Sequence, residues 1–234
     1  MVIYEFNIDC LYLNYMKEEI KLPASYIFKK MIREEMKKLS NPVKLRVFLD
    51  KDKKPQNYDY TMSILKEYEE NSAGMLTIEE IHIGENPKFE KMYDVQRVPS
   101  ILFIDENGNE LIRYLSAPQG SEIQPFIEAL LILAGAPNYY KKVIMENLHR
   151  IKPSTIKVMI TNSCAYCPQI IGIISQFALA SEGKIKALII DVTENPDMID
   201  KYNTLSVPFI IINEKEPLIG MYGADELLEE LIGY

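Results

Sequence analysis

Apolar residues along this chain follow two alternating patterns, one typical of helices and one typical of strands. From Ser25, a residue type that caps helices, apolar side chains recur at helical spacing up to Leu39. Asn41-Pro42 ends that pattern, and a strand-like apolar run follows. In the first half the pattern predicts helices at Ser25 to Leu39, at Pro87 to Tyr93 and at Ser121 to Ala134, and a further helix that follows the polar stretch Asp50 to Tyr60 and ends at about Glu70. It predicts strands at Val43 to Leu49, Leu76 to Ile83, Ser100 to Asp105 and Glu110 to Tyr114. The turn Asn107-Gly108 joins the last two strands.

The first 24 residues are predicted to form an N-terminal extension. Met1 to Ile8 predicts a strand, and Leu11 to Lys21 predicts a short helix that ends at Pro23. Cys10 lies between these two segments. We interpret it as a structural or free cysteine, with an interchain disulfide as the alternative.

The second half of the chain repeats the first. At a constant separation of 109 positions (194 − 85), Glu85-Asn86-Pro87 matches Glu194-Asn195-Pro196, and Val98-Pro99 matches Val207-Pro208. Each Val-Pro pair leads directly into an apolar, strand-like run. Since the same order of elements in tandem is hard to obtain by chance, we interpret the repeat as a duplication.

The repeat predicts an α/β fold with two units in tandem. Alternating strands and helices give parallel strands joined by right-handed crossovers, and the final hairpin of each unit adds an antiparallel strand. We therefore expect two folds of one kind, each a mixed sheet of about four strands flanked by helices. The boundary between the two units is expected at Gly135-Ala136-Pro137. With the N-terminal extension, the predicted parts of the chain are residues 1–24, 25–136 and 137–234.

Two cysteines in the second half form the clearest chemical motif. Cys164 and Cys167 lie between a strand-like run, Ile156 to Thr161, and a helix-like run, Gln169 to Ser181. The N-terminus of a helix favours an anion and so lowers the pKa of a nearby thiol. Cys164 precedes that terminus and is the better candidate for the attacking sulfur, whereas Cys167 in the first turn could resolve a mixed disulfide. The motif predicts thiol–disulfide exchange.

Two other interpretations of these cysteines remain open. Both could be buried and inert, since free cysteine is commonly buried as a small apolar residue. They could instead bind zinc, which requires four ligands in a structural site. The only other cysteine or histidine candidates are Cys10, His82 and His149, and they lack ligand spacing. We therefore expect no bound metal or other cofactor.

Composition restricts the possible functions further. A net charge of −8 argues against a general binder of nucleic acid or of anionic membranes. No secretory signal is expected, and the longest apolar run, Ala129 to Ala134, is too short to span a bilayer. One cysteine pair and one spare cysteine are more typical of a cytoplasmic protein than of a disulfide framework. Abundant Ile, Lys and Glu with few Gln suggest a thermophilic source.

These residues together resemble the thioredoxin/glutaredoxin superfamily. The resemblance rests on the strand–CxxC–helix arrangement followed by Val207-Pro208 entering a strand. Two such units in one chain resemble the two-unit, glutaredoxin-like protein disulfide oxidoreductases of thermophilic archaea and bacteria, over roughly Ser25 to Tyr234. The most telling segments are Asn41-Pro42-Val43-Lys44-Leu45, Cys164-Ala165-Tyr166-Cys167-Pro168 and Tyr202 through Pro208.

The resemblance implies roles for residues around the motif. Cys164 would be the exposed nucleophile and Cys167 the resolving thiol. Pro208 would be a cis-proline facing the disulfide, and the backbone of Val207 would pair with an extended substrate segment. Ala165 and Tyr166, between the two cysteines, are also expected to contact substrate. Pro99 is the equivalent proline of the first half.

The first half departs from the family pattern because it has no CxxC. The matching positions are Lys53 to Gln56 or Pro55 to Tyr58, depending on the register, and neither contains a thiol. The first unit therefore cannot perform exchange itself. We expect it to be a scaffold or a substrate-docking platform, or else a vestigial unit that only stabilises the second.

The sequence as a whole predicts an enzyme that exchanges disulfides with protein substrates. The family further implies a flavin-dependent partner resembling thioredoxin reductase as electron donor. Two alternatives stay open: a non-catalytic chaperone or adaptor on the same fold, and an iron–sulfur carrier in which Cys164 of two subunits holds a cluster.

Overall fold

The computed structural model describes residues 26–52 and 55–233. The strand and helix predicted within residues 1–24, the cap at Ser25 and Cys10 lie outside the described residues. None of the helices in these two ranges is both long enough and apolar enough to cross a membrane.

The first half contains the predicted elements in the predicted order. Its helix α2 begins earlier than expected, at Pro55 inside the polar stretch. Proline has no amide hydrogen to leave unpaired in the first helical turn, so it favours a helix start there. The elements are α1 (Tyr26–Glu35, extended by a 3-10 turn, Met36–Lys38), β1 (Val43–Leu49), α2 (Pro55–Asn71), β2 (Leu76–His82), α3 (Pro87–Met92), β3 (Ser100–Ile104), β4 (Glu110–Tyr114), a second 3-10 turn (Gly120–Glu122) and α4 (Ile123–Leu133).

The second half repeats this order of helices and strands. The helix that follows the cysteine motif begins at Cys167, two residues before the predicted start. The elements are α5 (Lys141–Asn147), β5 (Ser154–Ile160), α6 (Cys167–Ala180), β6 (Ile185–Asp191), α7 (Asp197–Tyr202), β7 (Phe209–Ile212), β8 (Leu218–Ile219) and α8 (Ala224–Ile232). The predicted α/β class with tandem units is confirmed.

Both halves share one sheet. The eight strands have the order β2-β1-β3-β4-β6-β5-β7-β8. The halves join where β4 pairs in parallel with β6, with Tyr114 opposite Ile189. Because β1 also runs parallel to β5 through the intervening pairs, the carboxyl ends of β1 and β5 lie at the same edge of the sheet.

The largest core lies on one face of this sheet. Helices α1, α2, α4, α5, α6 and α8 cover that face, and α4 packs against α6 across the joint between the halves. Four buried rings pack beside the joint with neighbouring centroids 5.1 to 5.9 Å apart. They are Tyr68, Phe103, Tyr114 and Phe126. Smaller clusters beneath α3 and α7 cover parts of the other face.

Candidate active site

Cys164 and Cys167 form a disulfide at the end of β5. The loop after the strand turns at Cys164, whose backbone N–H donates to Thr161 O at 3.1 Å. Cys167 is the first residue of α6 and is fully buried, whereas Cys164 is partly exposed. Cys164 is therefore the cysteine that a visiting molecule can approach, and the interpretation in which both cysteines are buried is wrong for Cys164.

The start of α6 points a backbone donor at the accessible sulfur. The N–H of Cys167 donates to Cys164 Sγ at 3.1 Å. After reduction, the same amide and the positive end of the helix would stabilise a thiolate on Cys164. The arrangement favours Cys164 as the nucleophile.

The second Val-Pro segment lies beside the motif. β7 pairs antiparallel with β5, and Met159 lies opposite Phe209. Val207 and Pro208, which precede β7, are therefore adjacent to the loop that follows β5. The Val207–Pro208 peptide bond is cis, and so is Val98–Pro99 in the first half. Pro208 O accepts a hydrogen bond from the N–H of Gly220 at 2.9 Å.

Large apolar side chains are exposed within the cysteine motif and in the segments next to Pro208. Tyr166, between the cysteines, is 65% exposed, and Leu205, three residues before Pro208, is 83% exposed. Met221 follows the glycine that is bonded to Pro208 and is also exposed. We call Tyr166, Leu205 and Met221 the apolar rim. Sequence analysis missed Leu205 and Met221, because nothing in the sequence marks an apolar residue as exposed.

Comparison with known proteins agrees with the α/β fold described above. A family model described as "Thioredoxin domain" matches residues 154–233. Residues 154–233 are therefore thioredoxin-like. Thioredoxin from Rickettsia bellii is 27% identical over 70 residues, which are 28% of this chain and 67% of that protein.

Two solved structures resemble nearly the whole chain. A protein disulfide oxidoreductase from Aeropyrum pernix is 27% identical, with a TM-score of 0.80 over 89% of this chain and 92% of that one. The NTD_N/C domain of alkylhydroperoxide reductase AhpF from Enterococcus faecalis is 21% identical, with a TM-score of 0.78 over 87% of this chain and 97% of that one. The second likeness shows the fold alone. Both agree with two tandem thioredoxin-like folds.

Three acidic side chains lie where the first half meets the thioredoxin domain. Glu122 of the second 3-10 turn and Asp191 at the end of β6 are both completely buried. Glu194 follows Asp191 and accepts a hydrogen bond from Gln119 Nε2 at 3.3 Å. Burial raises the pKa of Glu122 well above its ordinary value, and the negative charges of Asp191 and Glu194 contribute to the same rise. Sequence analysis missed this group because its members come from separate parts of the chain.

The 3-10 turn that carries Glu122 contacts the loop that holds the cysteines. The N–H of Ser121 donates to Asn162 O at 3.0 Å. Gly120 has φ +54°, and a Cβ added there would lie 2.7 Å from the same oxygen. Glycine is therefore required for this close approach. The first half thus supports the loop two residues before Cys164.

Replacing Gly120 by alanine should weaken the joint between the halves. We expect Gly120→Ala to lower the free energy of unfolding by about 2–5 kcal/mol, since the left-handed backbone and the contact with Asn162 O both penalise a Cβ. Gly183→Ala is the matched control, because Gly183 has φ +81° and no atom within 4 Å of an added Cβ. It should cost only about 1–2 kcal/mol. Equal losses in denaturant unfolding would show that the contact is unimportant.

Glu194 should make stability depend on pH near neutrality. Burial is the main cause that raises the pKa of Glu194 from 4.5 to about 7, and the negative charge of Asp191 is the second. Between these values the folded protein keeps a proton that the unfolded chain releases, so stability falls as pH rises through this window and is constant above it. Because Glu194 is partly exposed, solvent screening limits the loss to about 1–2 kcal/mol.

The substitution Glu194→Gln tests this pH dependence. The variant should gain stability over the wild-type protein at pH 8 and show little gain at pH 4.5, where the wild-type carboxyl is protonated in the folded state and half protonated in the unfolded chain. Urea unfolding at several pH values measures the difference. A constant difference from pH 4 to 8 would contradict the assignment.

Proposed function

We propose that this protein is a thiol–disulfide oxidoreductase that acts on protein substrates. The observation that carries the proposal is the Cys164–Cys167 disulfide at a strand-to-helix turn, with Cys164 partly exposed and Cys167 buried. The surrounding thioredoxin domain and the likeness to a protein disulfide oxidoreductase support it. A cytoplasmic location, where an exposed dithiol is kept reduced, is part of the proposal.

The proposed reaction has two steps. In the reduced protein, the Cys164 thiolate attacks a substrate disulfide and forms a mixed disulfide, releasing one substrate sulfur as a thiolate. Cys167 then attacks Cys164 Sγ, which restores the Cys164–Cys167 bond and releases the second substrate sulfur. The reverse sequence oxidises a substrate dithiol. The helix start and the N–H of Cys167 support the thiolate in the first step.

We propose that the substrate lies over the apolar rim and along Val207. Ala165 and Tyr166 are exposed beside the disulfide, and an extended segment could pair with the backbone of Val207 next to Pro208. Exposed apolar side chains at such a position favour contact with a protein rather than with a small polar molecule. Main-chain pairing would tolerate many substrate sequences.

The first half is proposed to be a scaffold for the second. Support comes from the shared sheet, the packing of α4 on α6 and the contact of Ser121 with Asn162. We place the boundary between the two units at residues 135–137, with 25–136 as the first unit and 137–234 as the second.

The alternative role of the first half is that of a docking platform for substrates. It predicts that substitutions on the outer surface of the first half raise the KM for protein substrates and leave folding unchanged.

Turnover of a protein disulfide tests the proposed function. With dithiothreitol as the electron donor, the wild-type protein should accelerate reduction of the insulin disulfides. Protein that was reduced and then alkylated with iodoacetamide should not. An alkylated protein that still suppresses aggregation of other proteins, together with no turnover by the unmodified protein, would support the non-catalytic chaperone instead.

A flavoprotein resembling thioredoxin reductase is the proposed natural electron donor. NADPH-dependent reduction of the disulfide by such an enzyme tests this proposal.

A further inference from the structure

A cleft lies between the two halves, at the edge of the sheet that carries the cysteine motif. Its volume is about 520 Å³. One wall is the segment before β3, which includes Arg97 and Val98, and the other is the segment after β6, from Glu194 to Asp197. Because β3 belongs to the first half and β6 to the second, neither half forms the cleft alone. The proposed reaction leaves this cleft without a role.

The cleft continues the line of the candidate active site. The sheet order places β5, whose end leads to Cys164, beside β6, with β4 and β3 following, while β7 and the preceding Val207 lie on the opposite side of β5. Neighbouring strands are about 4.8 Å apart, so the end of β5 and the start of β3 are separated by about 14 Å. An extended polypeptide advances about 3.3 Å per residue, so a substrate with its cysteine at Cys164 reaches the cleft with a residue about three positions away.

The charges of the cleft are unbalanced. Glu194 is partly exposed on one wall, and no lysine, arginine or histidine within residues 26–52 and 55–233 forms an ion pair with it or with Asp191. Arg97 on the facing wall is already engaged, since its two terminal nitrogens donate to the carboxylate of Asp197. The cleft therefore keeps an uncompensated negative charge at Glu194 and favours a positively charged ligand.

Asp191 supplies independent evidence for a cationic ligand. Its side chain is completely buried near Glu194, and its Oδ2 has no hydrogen-bond partner among the described residues. A buried negative charge without a compensating group is costly. Burial is the main cause that raises the pKa of Glu194 to about 7, and the charge of Asp191 is the second. A cation bound at Glu194 would offset both charges and lower this pKa.

The lining of the cleft fits a basic side chain better than a metal ion. Among the described residues, no group of three or more histidine, cysteine, aspartate or glutamate side chains could hold a metal ion. Ile83, Val95 and Val98 line the cleft together with Glu194. Lysine and arginine pack their apolar stems against such side chains while the charged head reaches an acceptor. A protein substrate bound at the neighbouring disulfide is the natural source of such a side chain.

We propose that this cleft is a specificity subsite that binds a lysine or arginine side chain of the protein substrate, with Glu194 as the acceptor. The preferred substrates are then disulfides in which a basic residue lies about three positions from the reacting cysteine. The inference rests on the proposed function and names the class of protein on which that site acts. It gives the first half a direct contact with substrate, through Val98, in addition to its role as a scaffold. Glu194 contacts the substrate away from the sulfurs and should therefore affect KM.

Peptide disulfides of matched sequence test the subsite. The substrates are peptides with one disulfide that differ only in having lysine or glutamine three positions before or after a cysteine. The wild-type protein should reduce one of the two lysine peptides with a kcat/KM about tenfold above that of its glutamine counterpart, mainly through a lower KM, because hydrogen bonds between charged groups are stronger than neutral ones. Equal values for lysine and glutamine at both positions would overturn the subsite.

Substitutions at Glu194 decide whether this residue is the acceptor. Glu194→Gln should raise the KM for the lysine peptide about tenfold, to the value for the glutamine peptide, because the acceptor loses its charge. Glu194→Lys should instead prefer a peptide with glutamate at the same position. The matched control Glu106→Gln, at an exposed position in the turn between β3 and β4, should keep the preference for lysine. A preference for lysine that persists in Glu194→Gln would overturn the role of Glu194.

Binding without turnover separates the subsite from the proposed function. If the wild-type protein reduced no peptide disulfide at all, the proposed function would fail. Calorimetric titration of the oxidised protein with the same peptides, their cysteines replaced by serine, would still decide the role of the cleft. The lysine peptide should bind with a Kd about tenfold below that of the glutamine peptide, and Glu194→Gln should remove the difference. Equal Kd values for the two peptides would overturn the subsite whether or not the protein is an oxidoreductase.

Discussion

Replacing Cys164 by serine should abolish turnover of protein disulfides, down to the uncatalysed rate. Cys164 is the partly exposed cysteine of the pair and its Sγ accepts the N–H of Cys167, whereas Cys167 is buried, so no other described thiol can make the first attack. A serine hydroxyl does not ionise at neutral pH and cannot replace a thiolate. The measurement is insulin reduction with dithiothreitol as donor.

The matched substitution Cys167→Ser should have a different result. It leaves Cys164 able to attack, so a mixed disulfide with the substrate should accumulate and be visible as a covalent adduct on a non-reducing gel. Circular dichroism of both variants controls for folding. Comparable turnover in the two variants, or an adduct in Cys164→Ser instead, would contradict the assigned roles. The experiment also separates the oxidoreductase from a chaperone, which would tolerate both substitutions.

Removing the first half should unfold the second. In the isolated fragment 137–234, β6 would lose its partner β4, α6 would lose its contact with α4, and Asn162 O would lose the hydrogen bond from the N–H of Ser121. Burial of one large apolar side chain contributes about 1.5–3 kcal/mol, while a whole domain is stable by only about 5–15 kcal/mol. We therefore expect the fragment to lack a cooperative unfolding transition and to have no measurable exchange activity.

A complementation experiment is the control for this deletion. Fragments 1–136 and 137–234 produced together should associate and recover activity, because the joint consists of side-chain packing and strand pairing rather than chain connectivity alone. A soluble, monomeric fragment 137–234 with wild-type turnover would show that the first half is neither a scaffold nor a docking platform. A fragment 137–234 that reduces small disulfides but not protein disulfides would favour the first half as a docking platform for protein substrates.

Local sequence signals located most of the individual elements. Periodic apolar residues marked the strands β1, β3 and β5, and Asn107-Gly108 marked the hairpin between β3 and β4. The same signals placed the start of α2 too late, because the polar stretch from Asp50 has no apolar period. A polar first turn leaves little trace in the hydrophobic pattern, and Pro55 was the only local sign of that start.

Long-range contacts were beyond these local signals. Gln119 and Glu194 meet across the joint, and so do Ser121 and Asn162, although the first pair is 75 positions apart (194 − 119) and the second 41 (162 − 121). No periodicity links such positions, since their meeting depends on the parallel register of β4 and β6. Exposure of Leu205 likewise depends on which surface the neighbouring loops leave uncovered.

The sequence by itself determined the α/β class, the tandem order of elements and the cysteine pair at the start of a helix. These features follow from side-chain period, turn chemistry and residue spacing within one element, all of which are local. Only the tertiary structure decided that the two halves share one sheet, that Cys164 is partly exposed while Cys167 is buried, and that Ser121 of the first half contacts the loop before Cys164. These features require distant segments to be placed side by side, and strand register and helix packing set that placement.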